Sequence, residues 1–138
     1  MENTLSIIKP DAVKEKYAGK IIDFIEQKGL NIIAQKRLLL NKKQAETFYE
    51  IHKERPFFSE LVEFMISGPV IVQVLRATNA VELYRSIMGA TDPSLAEENT
   101  IRKLYGQSIQ CNAVHGSDSI ENAKIEISYF FSKLEFII

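Results

Sequence analysis

The chain has 138 residues and a mass of 15.7 kDa, with 46% apolar and 25% charged side chains, which is the profile of one folding domain over residues 1–138 rather than a disordered segment. Its 17 basic residues balance 18 acidic ones, for a net charge of -1, so no backbone-gripping nucleic-acid function is expected and none is required. The single cysteine, Cys111, excludes an intrachain disulfide, and neither a signal-like N-terminus nor a long apolar run is present, so a cytoplasmic protein with no membrane segment is expected. Thr4–Ile8 reads as a first strand, stopped at Lys9-Pro10-Asp11 because the residue before proline is pushed out of the helical region. Ala18, Ile21, Ile22 and Ile25 recur at helical spacing up to Lys28, with Gly29 as the stop. Leu30–Leu39 reads as the second strand. Asn41 and Gln44 have the spacing of a capping box, predicting a helix through about Lys53. Pro56-Phe57-Phe58 breaks it, a short helix follows over Ser59–Phe64, and Ser67-Gly68-Pro69 turns into a buried strand at Val70–Leu75. Asn79 is a candidate cap for a helix to Met88, ended by Gly89; a polar segment, Ala90–Asn99, follows. Ile109–Val114 is the candidate last strand and His115–Asp118 a turn. The final helix is expected to face inward through Ile120, Ala123, Ile127 and Phe130 or Phe131.

This string predicts an α/β domain with a four-stranded sheet. Alternation of strands and helices favours a parallel, doubly wound sheet, but a split β-α-β arrangement with an antiparallel sheet fits equally well, and the pattern leaves both open.

Familiar phosphate signatures are missing. Gly19-Lys20 is followed by Ile21, and position 14 is Lys, so there is no P-loop; no two glycines stand two apart, so there is no dinucleotide fingerprint. His52, His115 and Cys111 are too few soft ligands for a structural zinc site. Chemistry concentrates instead in Asn112-Ala113-Val114-His115-Gly116-Ser117-Asp118-Ser119. Here His115 can serve as nucleophile or base, and Ser117 as a hydrolase nucleophile with His115 and Asp118. Alternatively, Ser117, Asp118 and Ser119 can simply cap the last helix. Lys9 at a strand end, Arg85 beside Gly89-Ala90-Thr91-Asp92, Arg102 after the long loop and Phe57 after Pro56 are further candidates. Each has an ordinary structural use as well. His52, in the charged stretch Ile51–Glu54, reads as a side chain whose replacement costs little.

Taken together, Ile8-Lys9-Pro10-Asp11-Ala12, Arg55-Pro56-Phe57-Phe58, Ser67-Gly68-Pro69-Val70, Gly89-Ala90-Thr91-Asp92-Pro93, Thr100-Ile101-Arg102 and Asn112 through Ser119 resemble, in order and spacing, the nucleoside diphosphate kinase family, in its short bacterial type. The resemblance spans nearly the whole chain and implies a ferredoxin-like α+β sandwich, a four-stranded antiparallel sheet covered by helices. It implies transfer of the γ-phosphate of ATP, or another nucleoside triphosphate, to a nucleoside diphosphate. The route would be ping-pong, through a phosphohistidine on His115 formed at Nδ1, with broad base tolerance. It implies that Lys9, Tyr49, Phe57, Arg85, Thr91, Arg102 and Asn112 line the nucleotide, with Phe57 on the base, Lys9 and Asn112 on the ribose, and Arg85, Thr91 and Arg102 on phosphate. Glu126, with Ser117 nearby, would hold the other imidazole nitrogen. Mg²⁺ would bridge the nucleotide phosphates without direct protein ligands, Asp118 reaching it through water, and the chain would form a tetramer or hexamer built from dimers. Lys103-Leu104-Tyr105-Gly106 and Asp92 depart from the common family pattern. A catalytically silent binding module of the same fold and a histidine phosphorelay protein are the competing readings; the full set of matched nucleotide positions weighs against both.

Overall fold

A computed structural model describes all residues, 1–138. Strand β1 (Glu2–Ile8) runs through the centre of a sheet of order β2-β3-β1-β4, with β2 at Asn31–Leu38, β3 at Val70–Ala77 and β4 at Val114–Gly116. Every pairing is antiparallel: Thr4 opposes Leu75, Ile7 opposes both Val72 and His115, and Gln35 opposes Gln73. The open choice between parallel and antiparallel is thereby decided for the ferredoxin-like sandwich. No helix is long and apolar enough to cross a membrane.

Alternation along β1 sorts the core into two layers. Leu5 and Ile7 face helices α3 (Lys42–Phe48), α4 (Phe58–Met65) and α7 (Ile120–Phe130). Ile8, with Val114 beside it on β4, faces α2 (Ala18–Gln27) and α5 (Ala80–Met88). Ser6 on that second face bonds Gln73 Oε1 at 2.9 Å and the Tyr84 hydroxyl at 2.8 Å, which fastens α5 under the sheet. Tyr84 and Met88 lie so close to β4 that a Cβ at Gly116 would come within 2.8 Å of Tyr84 Cδ2 and 2.6 Å of Met88 Cε.

The capping box on α3 forms as its spacing requires, with Asn41 Oδ1 accepting from Gln44 N and Gln44 Oε1 accepting from Asn41 N. That helix ends at Phe48, however, and a 3₁₀ turn covers Glu50–His52 instead of helix to Lys53. The apolar stripe stops at buried Ala45 and Tyr49, so no further turn would find a core to cover. Four other expectations are corrected. Pro10 does not merely stop β1; it occupies the first turn of a five-residue helix, α1 (Pro10–Lys14), where its missing N–H costs nothing. Asn79 makes no side-chain cap; Glu2 Oε1, reaching over from β1, accepts from Val81 N at 2.9 Å. The last strand is β4, not Ile109–Val114. Cys111 O accepts from Gln107 N and Ser108 N, closing a turn that leaves Ile109 exposed, and Ala113 is left-handed at φ 75°. A further helix, α6 (Ile101–Tyr105), capped by Thr100, follows the polar segment. On α7 Ile120 is half exposed rather than inward, while Phe130 and Phe131 are both buried.

Candidate active site around His115

His115 lies on β4, opposite Ile7, with its ring between the α3 end and α7. Phe48 meets it edge-on at 5.5 Å between centroids and Tyr49 at 6.5 Å, so two aromatic walls fix the plane of the imidazole. From α7, Glu126 Oε1 stands 2.9 Å from His115 Nε2 and also accepts the Ser117 hydroxyl at 2.8 Å. Ser117 is itself fully buried and accepts from Leu5 N at 3.2 Å. A carboxylate only accepts, so the proton sits on Nε2 and the lone pair on Nδ1. No protein group bonds Nδ1, and 23% of the histidine side chain is exposed.

Arg102 is tied to the strand that carries His115. Gly89, at φ 85°, turns its carbonyl toward α6, where Arg102 Nη1 donates to it at 3.1 Å; Arg102 Nη2 donates to Val114 O at 2.9 Å. Its Nε is buried without a partner. Burial pulls the guanidinium below its ordinary value, Tyr84 raises it, and the positive charge of Arg85 lowers it again. The Arg85 side chain is exposed on α5 and makes no hydrogen bond or ion pair with the protein. The two like charges lie near enough to disfavour each other, and one of them keeps an unfilled donor.

Lys9, at the end of β1, is buried; its Nζ donates to Asn112 Oδ1 at 2.9 Å and Gln110 O at 3.1 Å, and lies 5.4 Å above the Phe64 ring. Asn112 Nδ2 in turn donates to Thr91 O at 3.0 Å. Beside this chain of contacts opens a cavity of about 450 Å³ lined by Lys9, Phe57, Glu60, Leu61, Thr91, Ile109 and Gln110. Phe57 is 45% exposed in this lining.

Burial drives the Lys9 ammonium down to about 8, with Asp11 pulling it up, Arg102 down and Cys111 up. It is therefore charged at neutral pH and lost just above it. We expect kcat/KM to turn down above a pH of about 8, and the limb to vanish in Lys9→Ala. A profile flat through this region in the unmodified enzyme contradicts a charged Lys9 in substrate binding. Stability runs the other way. Between about 8 and the ordinary lysine value of 10.5 the unfolded chain binds more protons than the folded one, so the free energy of unfolding, and with it stability, rises with pH as activity falls.

Placement of the remaining candidates is uneven. Tyr49 is buried, its hydroxyl pushed far up by burial and by Glu126. Ser119, rather than Ser117 or Asp118, caps α7 by accepting from Asn122 N at 3.0 Å. Asp118 is exposed and its Oδ1 accepts from Asn122 Nδ2 at 2.6 Å. A Ser117–His115–Asp118 triad is excluded, because Ser117 and His115 both turn to Glu126. His52 is not the isolated charged-helix residue expected: its ring lies 6.5 Å from Tyr49 and 5.7 Å from Phe57. Glu60, Leu61, Ile109 and Gln110 were not legible as cavity residues, although Phe57 and Leu61 are spaced one helical turn apart and share a face.

The α/β sandwich, its cleft and its oriented imidazole suit a phosphotransferase. The family described as Nucleoside diphosphate kinase matches residues 2–136. A nucleoside diphosphate kinase of Wolbachia sp. subsp. Drosophila simulans is 62% identical over 137 residues, covering 99% of both chains. One from Phenylobacterium zucineum is 60% identical over 136 residues, covering 99% of this chain and 98% of its own. Among solved structures, the Aquifex aeolicus nucleoside diphosphate kinase superimposes with a TM-score of 0.97 at 45% identity, covering 99% of each chain. The halophilic enzyme of Halobacterium salinarum, in complex with CDP, does so with 0.94 at 36% identity, covering 99% of this chain and 91% of its own. The chain belongs to the nucleoside diphosphate kinase family, and its activity is phosphoryl transfer between nucleotides.

Proposed function

We propose that His115 is the residue that carries the phosphoryl group. The observation behind this is the Glu126 carboxylate on Nε2, which leaves Nδ1 with a free lone pair. In the first half-reaction Nδ1 attacks the γ-phosphorus, the bond to the β–γ bridging oxygen breaks, and the nucleoside diphosphate leaves with that electron pair. Glu126 stabilises the positive charge that develops on the ring, and Ser117 keeps the carboxylate turned to it. In the second half-reaction a terminal β-phosphate oxygen of a different nucleoside diphosphate attacks the phosphorus carried on Nδ1, the P–N bond breaks, and its electron pair returns to Nδ1 to restore the imidazole. The transition state spreads charge over the transferring oxygens, so catalysis comes from position and cations, supplied here by Arg85 and Arg102 together with Thr91 on phosphate. Tyr49 packs the ring and holds it in line.

Mg²⁺ fits as a passenger of the nucleotide. No three His, Cys, Asp or Glu side chains converge to hold a resident metal, and Asp118 Oδ1 is taken by Asn122, leaving Oδ2 for a water the cation carries. When carried in on the nucleotide, Mg²⁺ would supply charge neutralisation to the phosphates. We also expect one cytoplasmic domain over 1–138 that assembles as a homo-oligomer, tetramer or hexamer, from dimers; the free cysteine and the unpaired outer edge of β2 support this reading. Initial rates at several fixed GDP concentrations should give parallel double-reciprocal lines in ATP, the mark of a covalent intermediate. Intersecting lines would mean direct transfer in a ternary complex.

Base tolerance follows from the cavity. The exposed ring of Phe57 offers stacking, worth ~1–3 kcal/mol for any base. Lys9 and Asn112 would meet the ribose hydroxyls. We expect ADP, GDP, CDP and UDP to fall within about two decades of kcat/KM, each ~1.4 kcal/mol being tenfold, while loss of the 3′-OH costs more than any change of base. A preference above about a thousandfold for one base would mean that Glu60 or Gln110 reads the base edge.

A further inference from the structure

Asp11 stands in the same strand-end motif as Lys9, yet nothing above gives it a task. Its carboxylate is far from idle. Oδ2 accepts from the backbone N–H of Ala113 at 3.1 Å, across 102 positions of sequence, and Lys9 N donates to the carbonyl of that same alanine at 2.9 Å. Ala113 thus has both its backbone groups held by the β1–α1 junction. It is also a left-handed residue with a side chain, at φ 75°, in a chain where only two other non-glycine residues, Lys16 and Asn99, are so placed. Such a conformation persists only where its surroundings over-determine it. Its immediate neighbour is Asn112, bonded to Lys9 and to the Thr91 carbonyl, and two residues on is His115. If Ala113 relaxed into an extended conformation, Asn112 would swing away from Lys9 at one side or β4 would lose its register at the other.

We propose that Asp11 is a positioning residue for phosphoryl transfer: by pinning Ala113 in its left-handed conformation, it holds Asn112 and Lys9 where the ribose binds while His115 stays on β4. The proposal rests on the reading of Lys9 and Asn112 as ribose contacts. Burial raises the Asp11 carboxyl above its ordinary range, with Lys9 and the Ala113 N–H pulling it back, and its Oδ1 is buried without a partner. A carboxylate kept in so poor a place solely to cap the first turn of α1 would affect stability and nothing else; the pin affects what substrate recognition can distinguish.

The test compares GDP with its 3′-deoxy analogue in the full-length enzyme, alongside thermal melting. Asp11→Ala should lower kcat/KM for GDP by ~10- to 100-fold and collapse the discrimination between the two substrates, the same pattern expected of Asn112→Ala. Asp11→Asn, which keeps an acceptor oxygen for Ala113, should stay within ~3-fold of the parent on both measures. Adding Ala113→Gly to Asp11→Ala should restore much of the loss, because glycine adopts the left-handed conformation without a pin. This double variant and Asp11→Asn also decide the matter if Asp11→Ala proves too unstable to assay. The proposal is overturned if Asp11→Asn is as impaired as Asp11→Ala, or if Asp11→Ala only melts earlier with its discrimination intact. Should Asn112→Ala keep full discrimination, the ribose reading falls by itself. The recovery by Ala113→Gly then judges Asp11: recovery of kcat/KM supports the pin, and no recovery overturns it.

Discussion

His115→Ala should abolish phosphoenzyme formation and reduce nucleotide-dependent turnover by on the order of 10⁴-fold or more, since His52, the other imidazole of the chain, has no carboxylate partner to fix its tautomer. Fold and nucleotide affinity should survive. His115 sits on the short edge strand β4, where the pairing that matters is made by backbone, and its ring contributes an edge contact with Phe48 worth about 1 kcal/mol. Phe57, Lys9 and Asn112 are held by other elements and do not touch the ring. The check is a melting curve, a binding isotherm for ADP and an exchange assay between ATP and GDP on the same preparation. Retained exchange at a substantial rate would remove the covalent intermediate from the mechanism. His52→Ala is a partial control: its ring borders Tyr49 and Phe57, so a modest rise in KM with kcat nearly unchanged is expected.

Arg85→Ala and Arg102→Ala should each cost ~10²–10³ in kcat, because a cation aimed at charge that grows in the transition state is worth that much. The two should part company in stability. The Arg85 side chain is exposed and bonds nothing in the protein, so its removal should leave the melting temperature in place or raise it slightly by relieving repulsion of Arg102. Arg102 is buried and ties the Gly89 and Val114 carbonyls together. Its loss strands both acceptors, at about 1–3 kcal/mol for an unmet buried group. A defect confined to KM in either variant would mean uniform binding, not transition-state stabilisation. Equal melting temperatures would mean that the Arg102 bonds to the loop contribute nothing.

Local signals in the chain were legible where one residue type has one dominant use. Asn41 with Gln44 announced a cap, and Gly29 a helix end. Signals with two uses misled. Pro10 both ends a strand and opens a helix, and only the second use explains α1. Ile109 looked like the start of the last strand by its β-branched side chain, but the Gln107–Cys111 turn and left-handed Ala113 set β4 five residues later. The cap of α5 could not be read from Asn79, because the group that does the work, Glu2, arrives from the other end of the chain. The same limit applies to the site. Periodicity cannot reveal that Asp11 reaches Ala113, that Arg102 bonds Val114, or that Glu60 and Gln110 share a cavity with Phe57, since each contact depends on strand order. Sheet direction was the largest of these gaps. Alternation of helices and strands is common to both topologies, and only the family resemblance favoured the antiparallel one.

The most direct test of the mechanism uses γ-labelled ATP with Mg²⁺ and no acceptor, followed by a chase with unlabelled GDP. The protein should take up label in a bond that is labile to acid and stable to base, map it to the peptide containing His115, and release it as labelled GTP at a rate that matches turnover. Label that never appears, that survives in His115→Ala, or that fails to chase into GTP contradicts a phosphohistidine at this position.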